Sequence, residues 1–172
     1  MIVKIAILLV LCIHSTIVSA IRPIKNPFNV KGRVYCDPCR VGFETPATTY
    51  IAGAEVNLQC KDRITNEIVF NKKAESDSSG SYSILVDEKQ ANQICDVRLV
   101  SNPLHDCKEA TPGRDQSRII LNRFNGIATN ERFVNNMGFM KTRVASGCAK
   151  ILGTLKSSIM GNNFTEIYHV SN

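Results

Sequence analysis

Tryptophan is absent from this sequence of 172 residues, and Phe, Trp and Tyr together make up only 6% of it. Dedicated sugar-binding proteins commonly use exposed aromatic faces, so this shortage argues against a lectin. Tyr35, Phe43 and Tyr50 are candidates for a small aromatic patch, although core packing is the favoured use for them. The sequence also lacks a Gly-x-Ser-x-Gly elbow and a His-Glu-x-x-His motif, the signatures of many hydrolases and metalloproteases.

Histidine is scarce as well. The sequence has 3 histidines, of which His105 and His169 lie beyond residue 20. A catalytic triad needs a nucleophile and an orienting acid that converge on one imidazole, and no motif marks either histidine for that role. Asp87 and Glu88 form a single acidic pair, whereas a glycosidase needs two carboxyl groups across a cleft. We therefore predict a protein that is not an enzyme and that uses no catalytic residue, cofactor or metal ion.

The N-terminal residues have the order of a secretory signal peptide. Lys4 precedes an unbroken apolar run from Ile5 to Ile13, and the segment ends in Val18-Ser19-Ala20. The run is too short to cross a membrane, and the polar residues that follow it disfavour an anchor helix. The pattern predicts a signal peptide over residues 1–20, no membrane span after its removal, and secretion into the extracellular space.

Cysteine usage agrees with export. Cleavage after Ala20 removes Cys12, so that the 7 cysteines of the full sequence become an even number in the mature chain. An even count is typical of paired half-cystines in an oxidising compartment, and it leaves about fifteen pairings open. The formal charge of +6 favours acidic surfaces such as anionic polysaccharide. The lack of dense Lys/Arg clusters disfavours nucleic acid as a partner.

Short strands follow one another along the mature chain. After an extended lead-in over residues 21–29, apolar and polar residues alternate most clearly from Ala54 to Lys61, which predicts one buried and one wet face. Further strands are predicted at 30–36, 67–71, 82–86, 94–101 and 118–121, with turns at 76–81 and at Asn125-Gly126. No strand–helix alternation is visible, so the pattern favours an all-β fold, a small antiparallel β-barrel or sandwich.

The C-terminal region has a different period. A short amphipathic helix is predicted there, because apolar residues fall at helical spacing at Cys148, Ile151, Leu152, Leu155 and Ile159. Residues 160–172 are polar and are expected to fray. The predicted organisation is therefore a signal peptide over 1–20, a lead-in over 21–29, a β-domain over 30–149, and a helix and tail over 150–172.

The sharpest local motif is Cys36-Asp37-Pro38-Cys39. Such a pair serves as a redox dithiol, as half of a zinc site, or as two structural half-cystines. A redox pair normally precedes a helix, whose N-terminus lowers the thiol pKa, but residues 40–43 have no helical pattern. A second Cys-x-x-Cys that would complete a zinc site is absent from the sequence. Structural disulfides are therefore the favoured interpretation in an exported chain.

The residues around this motif are distinctive. The segment from Gly32 to Arg40 reads GRVYCDPCR and resembles the signature of the Ole e 1-like family of secreted plant proteins, the pollen Ole e 1 allergen and extensin type. The later motifs of that family follow in order: Gly53-Ala54, LQCKD at 58–62, GSYS at 80–83, Cys95, Asp106-Cys107, NMGF at 136–139 and Cys148. The resemblance extends from Val30 to Ala149, which is most of the mature chain.

The resemblance implies a small β-barrel or sandwich with three disulfides. The family pairs the first cysteine with the fifth, the second with the sixth and the third with the fourth, which gives Cys36–Cys107, Cys39–Cys148 and Cys60–Cys95. Family members often carry a glycosylation sequon after the fifth cysteine, but Asn125-Gly126-Ile127 lacks the hydroxyl residue. The sequon of this chain is Asn163-Phe164-Thr165, so Asn163 is the predicted glycosylation site.

Two hypotheses of function remain. In the first, the chain is a monomeric protein of the plant cell wall or apoplast, which acts as a ligand or matrix component in pollen or growing tissue. Its partner would be a protein receptor or a wall polysaccharide. In the second, it is a protease-inhibitor-like module that presents the segment from Arg40 to Ile51 to a protease. Allergenicity is a family association that no residue of the sequence predicts.

Overall fold

A computed structural model describes residues 26–167 of the chain. The predicted signal peptide, most of the lead-in and His169 lie outside the described residues. Ten strands are present in this part of the chain: β1 (Phe28–Asp37), β2 (Thr49–Tyr50), β3 (Glu55–Lys61), β4 (Ile68–Glu75), β5 (Ser81–Val86), β6 (Ile94–Ser101), β7 (Glu109–Ala110), β8 (Gln116–Ile119), β9 (Glu131–Phe133) and β10 (Met137–Met140). A 3₁₀ turn covers Glu88–Gln90, and the helix α1 covers Cys148–Ile167.

β1 is the central strand of the first sheet, because both of its edges are paired. Its first half pairs with β5 in antiparallel and with β9 in parallel orientation. Its second half pairs with β2 in antiparallel and with β10 in parallel orientation, and β7 follows beyond β10. The two parallel pairings depart from the antiparallel sheet that the sequence predicts. They arise because β9 and β10 return to β1 after long connections, as parallel strands require.

The second sheet is antiparallel throughout, in the order β4-β3-β6-β8. β3 lies inside this sheet, and its inward side chains Val56, Leu58 and Cys60 are fully buried. Cys60 lies directly opposite Cys95 of β6. A slip of one residue would move every buried side chain of β3 to the solvent, so the alternating pattern fixes the register.

The core lies between the two sheets and takes side chains from both. Its largest fully buried members include Phe28, Val30, Val34, Ile51, Val56, Leu58, Ile84, Val86 and Met137. Burial of each such side chain contributes roughly 1.5–3 kcal/mol. The predicted all-β class with a C-terminal helix is confirmed.

Several element ends differ from the prediction. β1 begins at Phe28, inside the predicted lead-in, because Phe28 pairs with Val86 and is fully buried. β4 begins at Ile68 and is longer than predicted. β8 covers Gln116–Ile119 where the sequence predicts 118–121. The chain bends at Asn125-Gly126, with Gly126 at φ +82°, but this bend lies within the long connection from β8 to β9 and is not a tight turn between paired strands.

The helix α1 begins at Cys148, which is buried. Ile151, Leu152 and Leu155 of the predicted apolar side are half-buried, whereas Gly153, Thr154 and Lys156 are exposed. The side chain of Ile159 lies outside the part that the structure describes. The helix continues to Ile167, beyond the point at which the sequence predicts fraying.

Candidate functional site

The signature motif forms a cross-linked hub at the end of β1. Each of the three disulfides joins a different pair of segments: Cys36–Cys107, Cys39–Cys148 and Cys60–Cys95. The three Cα–Cα distances are 6.1, 5.4 and 4.0 Å, in the same order. These pairs are the ones that the family resemblance implies. The two cysteines of the Cys-x-x-Cys motif therefore anchor two separate segments, and in this state neither is a free thiol.

Asp37 organises the turn between these two cysteines. Its carboxylate is fully buried and accepts hydrogen bonds from the backbone N–H groups of Cys39 (2.9 Å), Val41 (2.7 Å) and Gly42 (2.8 Å). The motif is thus followed by a carboxylate-capped turn and not by a helix. Among residues 26–167, no group of three or more His, Cys, Asp or Glu side chains is placed to hold a metal ion.

Two glycines of the family motifs, Gly32 and Gly138, leave space that neighbouring tyrosine side chains occupy. A Cβ on Gly32 would lie 2.3 Å from the Tyr82 hydroxyl oxygen, and a Cβ on Gly138 would lie 2.4 Å from the Tyr35 ring. Both contacts are far inside ordinary packing distance, so only glycine fits without a shift. Tyr35 is buried, which confirms core packing as its use. The signature region is accounted for by disulfides, a capped turn and close packing.

The structure shows the surroundings of Asp87, Glu88 and His105, the residues considered as catalytic candidates. Asp87 caps the 3₁₀ turn that follows it, and Glu88 accepts a hydrogen bond from an arginine guanidinium at 2.7 Å. His105 is exposed in the loop before Cys107. Its neighbour Asp106 pairs with Lys141 at 2.8 Å, and this ammonium lowers the pKa of the Asp106 carboxyl. These partners are a backbone N–H group and two cations, which is the pattern of structural side chains and not of a catalytic triad.

The segment from Arg40 to Ile51, the candidate inhibitor loop, is folded into turns. The N–H of Thr48 donates to the Thr45 carbonyl oxygen at 2.9 Å, and the N–H of Thr45 donates to the Thr48 hydroxyl at 2.8 Å. Phe43 is exposed on this segment, while Ile51 at its end is buried. The protease-inhibitor hypothesis stays a prediction.

An open cleft of about 700 Å³ is lined by residues of the first sheet and by Glu75 at the end of β4. It crosses β5, β1 and β9, where Ser83 and Phe133 lie opposite Lys31 on its two sides. Adjacent strands are about 4.8 Å apart, so Ser83, Lys31 and Phe133 form a row that spans about 10 Å between its outer Cα atoms. Phe133 is 71% exposed despite its large apolar side chain. Sequence reasoning missed this row, because only the parallel pairing of β9 brings Phe133 beside Lys31.

Charges of both signs surround the cleft. Lys31 and Arg33 line it together with Glu75 and Asp77. Lys31 is held in an ion pair with a glutamate of β9. The Arg33 guanidinium lies 3.2 Å from the centroid of the Tyr50 ring. The cleft therefore offers hydrogen-bond donors and acceptors without an excess of either charge.

The loop between β8 and β9 is held by two arginines. Arg132 is buried and donates to three backbone carbonyl groups of the loop and of β9. Burial lowers the pKa of this guanidinium. The guanidinium carbons of Arg123 and Arg132 lie 4.7 and 4.9 Å from the centroid of the Phe28 ring. Phe124 on this loop is 96% exposed and does not line the cleft.

Within the part of the chain that the structure describes, no helix has both the length and the apolar character that a bilayer crossing requires.

Comparison with known proteins agrees with the fold and the motifs. Residues 26–156 match the family described as Pollen protein Ole e 1 like. The chain is 43% identical over 126 residues to Protein DOWNSTREAM OF FLC of Arabidopsis thaliana, and the match covers 73% of this chain and 77% of that protein. It is 39% identical over 128 residues to Anther-specific protein LAT52 of Solanum lycopersicum, with coverage of 74% and 80%.

A solved structure is similar as well. The crystal structure of the Major Plantain Pollen Allergen Pla l 1 matches with a TM-score of 0.62 at 28% sequence identity, and the match covers 71% of this chain and 99% of that chain. The family resemblance inferred from the signature residues is confirmed by these matches. The chain therefore belongs to the Ole e 1-like family of plant proteins and is related to pollen and anther proteins.

Proposed function

We propose that the mature chain is a secreted, non-enzymatic plant protein that acts as a ligand or matrix component of the cell wall or apoplast, in pollen or growing tissue. The observation that carries this proposal is the open cleft on the first sheet. It offers hydrogen-bonding groups and an exposed ring, and the described residues that line it include no histidine or cysteine. Such an open surface, with polar groups of both charges and an exposed ring, suits the binding of a ligand.

Two further observations support the extracellular part of the proposal. Three disulfides cross-link the described residues, and such bonds persist in oxidising compartments. The predicted signal peptide over residues 1–20 provides the route of export. The relationship to Anther-specific protein LAT52 supports pollen or anther tissue as the place of action.

The test is to express the full chain with a C-terminal tag in plant cells and to purify it from the extracellular fluid. We expect a mature N-terminus at Ile21 and co-purification of a wall polysaccharide or a receptor ectodomain. A variant that lacks residues 1–20 is the control and should stay inside the cell. Intracellular retention of the full chain, or a secreted protein that holds no partner, would contradict the proposal.

A further inference from the structure

The exposed ring in the cleft indicates a class of ligand. In β9, Arg132 points inward and is buried, so that Phe133 points outward. The Phe133 ring is left on the surface beside Lys31, its register partner in β1. Because β1 is paired on both edges at this point, the cleft presents side chains and not a free strand edge. A ligand in the cleft is therefore recognised through its shape and its hydrogen-bonding groups.

The chemistry of this row matches a sugar. A pyranose ring has an apolar C–H face and a rim of hydroxyl groups, and Phe133 offers a flat apolar surface for that face. Lys31 and its partner Glu131 are partly exposed, at 36% and 43%, so the pair offers both a donor and an acceptor to sugar hydroxyls. The Ser83 hydroxyl at the far end of the row donates to the side-chain oxygen of Asn29, so its own oxygen can accept from a sugar hydroxyl. The row of about 10 Å corresponds to one or two sugar units.

The charge balance of the cleft favours a neutral sugar. Lys31 and Arg33 line the cleft, but so do the carboxylates Glu75 and Asp77. These two cations and two anions balance, so the lining gives a polyuronate no net electrostatic attraction. The net positive charge of the chain therefore does not identify the ligand of this site.

We propose that the cleft binds a neutral saccharide, with one sugar unit stacked on Phe133 and its hydroxyl groups bonded to Lys31 and Ser83 of the lining and to Glu131, the ion-pair partner of Lys31 beside the cleft. This inference rests on the proposed binding function and names its ligand class. A single ring serves one sugar unit, so the site is compatible with the low aromatic content of the chain.

The test is calorimetric titration of the mature protein with defined tetrasaccharides. Cellotetraose, xylotetraose and β-1,4-galactotetraose are the neutral probes, and tetragalacturonate is the charged one. We expect at least one neutral probe to bind, and Phe133→Ala to weaken its binding about fivefold or more. Phe124→Ala removes the same side chain from an exposed site outside the cleft. It should leave the affinity within about twofold of the wild type.

Three results would overturn the inference: no binding of any neutral probe, equal weakening by Phe133→Ala and Phe124→Ala, or tighter binding of tetragalacturonate that is lost at high salt. Thermal melts of both variants establish that each is folded. Failure of this inference is distinguishable from failure of the proposed function. If no neutral probe binds but the wild type still retains a partner that a Lys31→Ala/Phe133→Ala double variant loses, the binding function of the cleft stands and the saccharide inference fails.

Discussion

Asp37 is the side chain on which the turn after β1 depends. It is fully buried, and its two carboxylate oxygens accept three backbone hydrogen bonds, from Cys39, Val41 and Gly42. Cys39 forms a disulfide with Cys148. Because the backbone N–H of Cys39 donates to the Asp37 carboxylate, this carboxylate also fixes the position of that disulfide. We expect Asp37→Ala and Asp37→Asn to lower the free energy of unfolding by different amounts.

The hydrogen-bond geometry gives the two magnitudes. Hydrogen bonds to charged groups contribute roughly 1.5–3 kcal/mol each, and bonds within one turn are not additive. Asp37→Ala removes the acceptor of all three N–H groups, so we expect a loss of about 4 kcal/mol. Asparagine keeps one oxygen, which can still accept from Val41 and Gly42, but its NH₂ group then faces the N–H of Cys39. For Asp37→Asn we therefore expect a loss of about 2 kcal/mol.

The assay is urea denaturation of the oxidised proteins, with thermal melts alongside. A loss of about 2 kcal/mol corresponds to a fall of roughly 4–8 °C in Tm for a domain of this size. Asp77 is the matched control, because it also accepts hydrogen bonds from its own turn, at Ser79 and Ser81, but is exposed. Water can replace those bonds, so Asp77→Ala should lose less than Asp37→Ala. A loss in the free energy of unfolding below about 1 kcal/mol for Asp37→Ala, or a larger loss for Asp77→Ala, would contradict the role assigned to the buried Asp37 carboxylate.

Outcomes are also expected at four other sites of the chain. Removal of the Cys39–Cys148 bond, which spans 109 residues, should lower the free energy of unfolding in urea by at most about 4–5 kcal/mol. Gly32→Ala should cost about 1–3 kcal/mol in the same assay, and Tyr82→Phe should relieve part of that cost. Tyr82→Phe alone should be neutral or stabilising, because the buried hydroxyl has no partner among the described residues. Burial raises the pKa of Tyr82 above its unfolded value of about 10. The contribution of Tyr82 to stability is therefore intact below pH 10 and falls by about 1.4 kcal/mol per pH unit above it. Tyr82→Phe should make the loss of stability in alkaline urea melts less steep by that amount, while the raised pKa of buried Tyr35 leaves a remaining slope. Asn163→Gln should abolish the mass shift that glycosidase treatment produces in the wild type, and an unchanged shift would rule out this glycosylation site.

The strands with a long alternating pattern could be predicted from the sequence. β3 is the clearest case, because its inward residues are fully buried and its outward residues are half-exposed. β10 has no alternation, since all four of its residues are buried, and Gly138 within it lies against the Tyr35 ring. β2, β7 and β9 have only two or three residues each, too few for a period to appear. These strands depend on tertiary pairing, which a local pattern does not contain.

The cysteine pairing could be predicted from the sequence, whereas the cleft could not. The pairing was accessible through the family resemblance, because six cysteines occur in a recognisable order. The cleft was not accessible, because Lys31 and its partner Glu131 are separated by 100 positions and meet only through the register of β1 with β9. Phe133 has no motif around it, and its exposure follows from the burial of Arg132 beside it.

The most direct test of the account concerns the cleft as the contact site of an extracellular binding protein. The mature wild type, a Lys31→Ala/Phe133→Ala double variant and the Phe124→Ala control are immobilised and exposed to native extracellular fluid from pollen or growing tissue. We expect the wild type and Phe124→Ala to retain the same partner, and the double variant, shown to be folded by its thermal melt, to retain none of it. Equal retention by all three proteins, or retention of nothing by the wild type, would contradict this expectation.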